Sequence, residues 1–166
     1  AEAFDLAVIL GSGLGEAAEA AGCEAWVPYA ELPVLLGGQI AGHRGRLVAA
    51  SWLGKRVLFF QGRFHLYEGY SAREATVNVR LAHALGCRRI LLSCAAGGIR
   101  PDFRPGDFMI VNDHINLMGD NPLRGHQSDP FLDLSELYND SFWEPLKHFA
   151  AKERVRLHSG VLAALT

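Results

Sequence analysis

The stretch Leu6-Ala-Val-Ile-Leu-Gly-Ser-Gly-Leu-Gly15 decides how this chain folds. Its first half is a continuous apolar run, the pattern of a strand buried on both faces, and it breaks into glycines where such a strand turns into a loop. In the second half the glycines let backbone approach an anion closely, amide hydrogens can converge on it, and Ser12 adds a hydroxyl donor. The loop lacks the third-glycine spacing of the dinucleotide fingerprint and the Gly-Lys-Ser/Thr of a P-loop. Taken alone, it reads equally well as a tight strand-to-helix turn.

Working outward, Leu47–Leu53 and Val57–Phe60 flank Gly54-Lys55, and so short a connection predicts an antiparallel hairpin. Ser71 opens a helical pattern through Val77, Leu81, Ala84 and Leu85, with Glu74 placed for a capping box and Gly86 for a left-handed exit. Arg89–Cys94 reads as a buried strand running into Ala95-Ala-Gly-Gly98, and Phe108–Val111 as another strand after the Pro105-Gly106 turn. Gly119–Asp133 reads as a long loop, and Leu134 to about Arg154 carries helical spacing through Leu137, Phe142, Leu146 and Phe149. Strands alternating with helices, plus one hairpin, predict a single α/β domain over 1–166 with a central mixed, mostly parallel β-sheet flanked by helices. Gly160–Thr166 has the look of an interior strand with nothing after it, which suggests a chain truncated at its C-terminus.

The 166 residues are enough for one core that buries roughly two thirds of the unfolded surface. Apolar residues at 49% and charged residues at 20% place the chain with folded globular proteins. A net charge of -2 argues against nucleic acid and anionic membrane as partners and favours a small ligand. Three cysteines, Cys23, Cys87 and Cys94, match neither a zinc knuckle nor a disulfide framework, and no apolar run reaches membrane-spanning length. A cytoplasmic location is the expectation.

Within Gln61-Gly-Arg-Phe-His-Leu-Tyr-Glu-Gly69, the side chains of Arg63, His65 and Tyr67 stand two apart and share a face wherever the segment is extended. Arg63 supplies a fixed fork of donors suited to phosphate, His65 donates or accepts near neutral pH, and Tyr67 offers a flat face with a hydroxyl tip. The competing reading is a solvated edge strand whose charges face water. His65-x-x-Glu68 has no second histidine to complete a zinc site, so no metal is expected. Cys94 reads as a buried core thiol rather than a nucleophile, and His114 as a hydrogen-bonded structural histidine rather than a base.

Taken together, the motifs resemble the trimeric purine nucleoside phosphorylases. The matching stretches are Val8–Gly15, Gly42-His-Arg-Gly-Arg-Leu47, Gln61–Tyr70, Ala95-Ala-Gly-Gly98, Asp113-His-Ile-Asn-Leu117 and Asn121-Pro-Leu-Arg-Gly125, in order through nearly the whole chain. The resemblance implies a nucleoside phosphorylase-like α/β fold and reversible phosphorolysis in purine salvage. In that reaction inorganic phosphate displaces the base of a purine nucleoside and leaves ribose 1-phosphate, with no covalent residue, metal or organic cofactor. It further implies that Ser12, His43, Arg63, His65 and the backbone of Ala95 hold phosphate, with His65 the catalytic histidine. Tyr67 would meet the ribose, and Phe131 would close over the ribose of a neighbouring subunit in a homotrimer.

Two departures accompany the resemblance. Cys94 stands where the family often has Asn, and the chain ends where the family continues into a Gly-Pro-x-x-Glu-Thr segment and the residues that recognise and protonate the purine. The activity is therefore expected of the complete protein and not of residues 1–166 alone. Methylthioadenosine phosphorylases are a rival, but they resemble Ala-Cys-Gly-Ser where this chain has Ala95-Ala-Gly-Gly98. A non-catalytic phosphate- or nucleotide-binding module is a second alternative. A dinucleotide-binding oxidoreductase is a third, against which the glycine spacing counts.

Overall fold

The computed structural model describes residues 3–33, 44–125, 132–138 and 140–165. It divides into two compact units, Ala1–Ala96 and Gly97–Thr166. The first holds a five-stranded sheet built from β1 (Leu6–Ile9), β2 (Cys23–Pro28), β3 (Arg46–Trp52), β4 (Lys55–Gln61) and β5 (Ile90–Leu92), in the order β2-β3-β4-β1-β5. β1 runs parallel to β4 and to β5, whereas β2, β3 and β4 pair antiparallel, so the sheet is mixed. The expected hairpin is β3–β4, with Trp52 opposite Lys55 across Leu53 and Gly54, both at positive φ (51° and 73°). Two left-handed central residues match the twist of a two-residue hairpin.

β1 and β4 are buried on both faces, and alternation splits them into two cores. Ala7, Ile9, Leu58 and Phe60 pack with Val77 and Ala82, while Val8, Leu10, Val57 and Phe59 pack with Ala18 and Ala21. Ala18 lies in the short helix α1 (Ala17–Ala20), and Val77 and Ala82 in α3 (Val77–Ala84). One face is thus closed by each helix, the physical reason the first apolar run carries no polar alternation.

The helix after Ser71 forms, but in two pieces. Ser71 Oγ accepts from the Glu74 amide and Glu74 Oε2 accepts from the Ser71 amide at 2.8 Å, completing the capping box of α2 (Ala72–Ala75). Thr76 then interrupts regular geometry, its hydroxyl donating back to the Ala72 carbonyl at 2.9 Å, before α3 resumes and Gly86 exits at φ 85°. β2 has no signature in the sequence, because its exposed, irregular pattern, bulged between Cys23 and Ala25, carries no clean period.

In the second unit β6 (Phe108–Asn116) pairs parallel with β7 (Leu157–Ala164), and α4 (Trp143–Lys152) lies between them in the chain. The long helix expected over 134–154 is corrected here: it begins only at Trp143, after a 3₁₀ turn at Asp140–Phe142. Pro145 explains the shortening. A helix starting at 134 would hold it in the interior, where it removes a hydrogen bond and clashes with the preceding turn, whereas in the first turn its missing N–H costs nothing.

Replacing Ser71 by Ala removes the cap and should lower the unfolding free energy by about 0.5–2 kcal/mol, read from a denaturant titration of the complete protein. A loss below that range would mean that tertiary packing alone holds α2.

Candidate functional site

Because β1, β4 and β5 are mutually parallel, their carboxyl ends share one edge of the sheet, where open α/β sheets place ligand crevices. Two of the motifs singled out in the sequence leave from that edge, Gly11–Gly15 after β1 and the run to Gly69 after β4, and the segment Ser93–Ala96 after β5 carries the start of a third, Ala95-Ala-Gly-Gly98. Ser93 ties them together. The Gly11 amide donates to Ser93 Oγ at 2.9 Å, the Ser93 amide donates to the Ile9 carbonyl at 3.1 Å, and Arg63 Nη1 donates to the Ser93 carbonyl at 2.7 Å. This requires glycine at position 11, where a Cβ would stand 2.6 Å from the Ser93 carbonyl oxygen.

Ser12 sits exposed at the crest of the turn that the Leu14 amide closes onto the Gly11 carbonyl. Arg63 is half-buried, and its partner at Ser93 is a neutral carbonyl, a bond that leaves the positive guanidinium uncompensated. His65 is half-buried with extended backbone, and its amide donates to Glu68 Oε2 at 2.9 Å. Ala95 lies exposed on the segment after β5. His43 and Phe131 lie outside the described residues.

Two expectations need correction. Extended alternation does not reach Tyr67, because Leu66–Glu68 coils into a 3₁₀ turn. The His65 and Tyr67 rings nevertheless stack, with centroids 4.7 Å apart and planes 16° from parallel, and Tyr67 is left 77% exposed. Cys94 is not a core thiol: it is exposed, as are Ile90, Leu91 and Leu92 before it, because β5 is an edge strand of the sheet and not the buried strand expected over Arg89–Cys94. The edge-strand reading of the Gln61 run also fails, since only Gln61 belongs to a strand, the central β4, and the rest of the run leaves the sheet. His114 is hydrogen-bonded as anticipated, its Nδ1 lying 3.0 Å from the Tyr138 hydroxyl.

Below the glycine loop lies a cavity of about 220 Å³ lined by Leu10, Gly11, Gly13, Gly15, Glu16, Arg44, Gln61 and Gly62. Gln61 organises its floor. Fully buried at the end of β4, it donates to the Gly15 carbonyl and to Glu19 Oε1, and accepts from Arg46 Nε. Glu19 also pairs with Arg44 at 2.7 Å and with Arg46. The Gln61 amide, ahead of the two arginines, holds the Glu19 carboxyl below its usual range, against some opposition from burial. Neither Gln61 nor Glu19 stands out in the sequence, since a lone Gln at a strand end and a Glu on a short helix carry no local pattern.

Among the described residues no group of three or more His, Cys, Asp or Glu side chains is arranged to hold a metal ion. The Glu68 carboxylate is occupied by the His65 backbone amide. Nor, among the described residues, is any helix long and apolar enough to cross a membrane.

With this geometry in place, comparison with known proteins is informative. A model of the phosphorylase superfamily matches residues 5–166, and the chain belongs to that superfamily. Within it, the similarity is to purine nucleoside phosphorylases. The chain is 40% identical over 165 residues to purine nucleoside phosphorylase 1 of Geobacillus stearothermophilus, covering 97% of this chain and 60% of that protein. It is 43% identical over 129 residues to purine nucleoside phosphorylase of Mus musculus, covering 76% and 45%. The crystal structure of isoform 2 of the Schistosoma mansoni enzyme, in complex with cytosine and ribose-1-phosphate, superposes with a TM-score of 0.79 at 34% identity, over 96% of this chain and 59% of that one. The chain thus spans less than two thirds of the length of each of these relatives.

Two outcomes follow from the site's packing. Gly11→Ala forces its methyl against backbone and should cost about 1–3 kcal/mol of stability, measured by chemical unfolding; a neutral result would show that β5 can retreat from the loop. A carboxyl held below its ordinary pKa stabilises the fold above the unfolded value and loses that contribution as pH falls through the folded one. Glu19→Gln should therefore flatten the fall in melting temperature on acidification below the ordinary value of 4.5, and parallel curves for the two proteins would contradict the Glu19 arrangement.

Proposed function

We propose that the complete protein is a purine nucleoside phosphorylase, cleaving nucleosides such as inosine and guanosine with inorganic phosphate in purine salvage. The observation that carries this reading is the meeting at Ser93 of the Gly11–Gly15 loop and Arg63, at the carboxyl edge of three parallel strands. Backbone amides and a charged guanidinium at one edge suit an oxyanion. The ribose-1-phosphate held by the Schistosoma mansoni relative has the chemistry of the product such a site would release.

In the proposed reaction a phosphate oxygen forms a bond to C1′ of the nucleoside as the bond from C1′ to the purine nitrogen breaks. The electron pair leaves with the base, which takes up a proton, and the sugar departs as its 1-phosphate. Phosphate is the nucleophile, so the protein's task is to position an anion beneath a sugar that develops positive charge. Ser12, Arg63, the Ala95 amide and His65 are the phosphate donors in this reading, joined by His43, with His65 the catalytic histidine. Stacked on His65, Tyr67 presents a broad exposed face to the ribose. No cofactor is called for.

The same reading takes Phe131 as a contribution to the site of a neighbouring subunit in a homotrimer, with neither nucleic acid nor membrane as partner. Three free cysteines fit a reducing, cytoplasmic setting. Base preference is taken to be for 6-oxopurines.

Phosphorolysis of inosine by the complete protein, followed by release of hypoxanthine, is the direct test. With activity present, Arg63→Ala should raise the KM for phosphate far more than the KM for nucleoside, since it removes an anion clamp and not a base contact. Equal rises would remove Arg63 from the phosphate site, and binding of phosphate without turnover would favour a non-catalytic module.

A further inference from the structure

Arg63 is held from two directions, and only one of them is its own side chain. The preceding carbonyl, that of Gly62, accepts two hydrogen bonds inside the core: from the Tyr29 hydroxyl at 2.9 Å and from Asn78 Nδ2 at 3.1 Å. Tyr29 is 3% exposed and Asn78 1%. They arrive from opposite sides in the sequence, Tyr29 from the turn after β2 and Asn78 from the first turn of α3. Gly62 itself has φ 133°, a backbone conformation that side-chain-bearing residues rarely adopt. The peptide joining Gly62 to Arg63 is therefore fixed at its oxygen by two buried donors, while the guanidinium at the far end is fixed on Ser93.

Asn78 carries a cost that gives its amide significance. Its Oδ1 is buried and has no hydrogen-bond partner among the described residues. A buried polar atom without a partner is destabilising, and an apolar side chain of the same size would avoid that penalty. The Tyr29 hydroxyl, like any tyrosine's, is protonated at neutral pH and donates to the Gly62 carbonyl, and burial moves its titration farther up.

We infer that Asn78 and Tyr29 are positioning residues for phosphate binding, acting through the Gly62 carbonyl to set the direction in which Arg63 leaves β4. This rests on the phosphate role of Arg63 proposed above. Neither side chain would touch the anion. Their effect is to keep the guanidinium from sampling other directions, so that its orientation is settled before phosphate arrives.

The test uses Asn78→Leu and Tyr29→Phe in the complete protein, with KM measured separately for phosphate and for inosine and thermal stability measured alongside. Asn78→Leu keeps the branched four-heavy-atom shape, with methyl groups somewhat larger than the amide oxygen and nitrogen they replace, and removes both the donor and the unpartnered oxygen. A purely structural Asn78 predicts unchanged kinetics, with a melting temperature set by the balance between relieving the unpartnered oxygen and fitting the larger methyl groups. The positioning role predicts a phosphate KM raised about 3–10-fold, the scale of one lost hydrogen bond, with the inosine KM nearly constant whatever the melting temperature does. Tyr29→Phe, which deletes one hydroxyl from an otherwise identical ring, should shift phosphate KM in the same sense, and the double variant further. If Arg63→Ala raises the phosphate KM while both of these variants leave it unchanged, or raise the two KM values equally, the inference is overturned by itself. If the unmodified protein does not phosphorolyse inosine, or Arg63→Ala leaves the phosphate KM untouched, the functional reading falls and this inference falls with it.

Discussion

The arrangement at the carboxyl edge of the sheet depends on the approach of Gly11 to Ser93. The parallel register that sets Ile9 against Leu92 brings the residues just beyond each strand face to face. At that point a side chain on residue 11 would collide with the Ser93 carbonyl. With glycine there, the Gly11 amide reaches Ser93 Oγ and the carbonyl of Ser93 is left to accept from Arg63. Separate these two backbones and the glycine loop loses its tether, while Arg63 loses the acceptor that aims it.

Charge around the site is arranged in two parts. Arg44 and Arg46 share one carboxylate, that of Glu19, which also accepts from Gln61, so this cluster is ion-paired yet keeps one net positive charge. Arg63 bonds instead to a neutral carbonyl. A guanidinium satisfied by a carbonyl holds its geometry without giving up net charge, which suits a group meant to meet an anion, and the neighbouring ion-paired arginines serve mainly to brace α1 against β3 and β4.

The second unit has its own polar anchor. His158 on β7 lies 2.9 Å from Asp107, just before β6, and Arg156 lies 3.3 Å from the same carboxylate, so the pairing of the two strands begins at a charged latch. The Phe103 ring meets His158 edge-on at 4.7 Å. Further along β6, the contact of His114 with Tyr138 fixes the Asp113-His-Ile-Asn116 motif to the loop before α4.

Local chemistry was enough to specify several elements. The apolar run at Leu6–Leu10, the hairpin turning at Gly54, though one residue earlier than Gly54-Lys55, the capping box at Ser71 and the glycine loop are each determined by neighbours in sequence, and so is the donor inventory of the Gln61–Gly69 run. Local spacing misled where a single residue altered the geometry, as with Pro145 in the expected long helix and the turn that carries Tyr67 out of extended alternation. What tertiary structure alone decided is which groups meet: Ser93 with Gly11 and Arg63, Gln61 with Glu19, and Tyr29 with Asn78 on one carbonyl. These partners stand 16 to 82 residues apart, and strand order and register, settled by burial of two faces of one sheet, are what bring them within hydrogen-bonding distance.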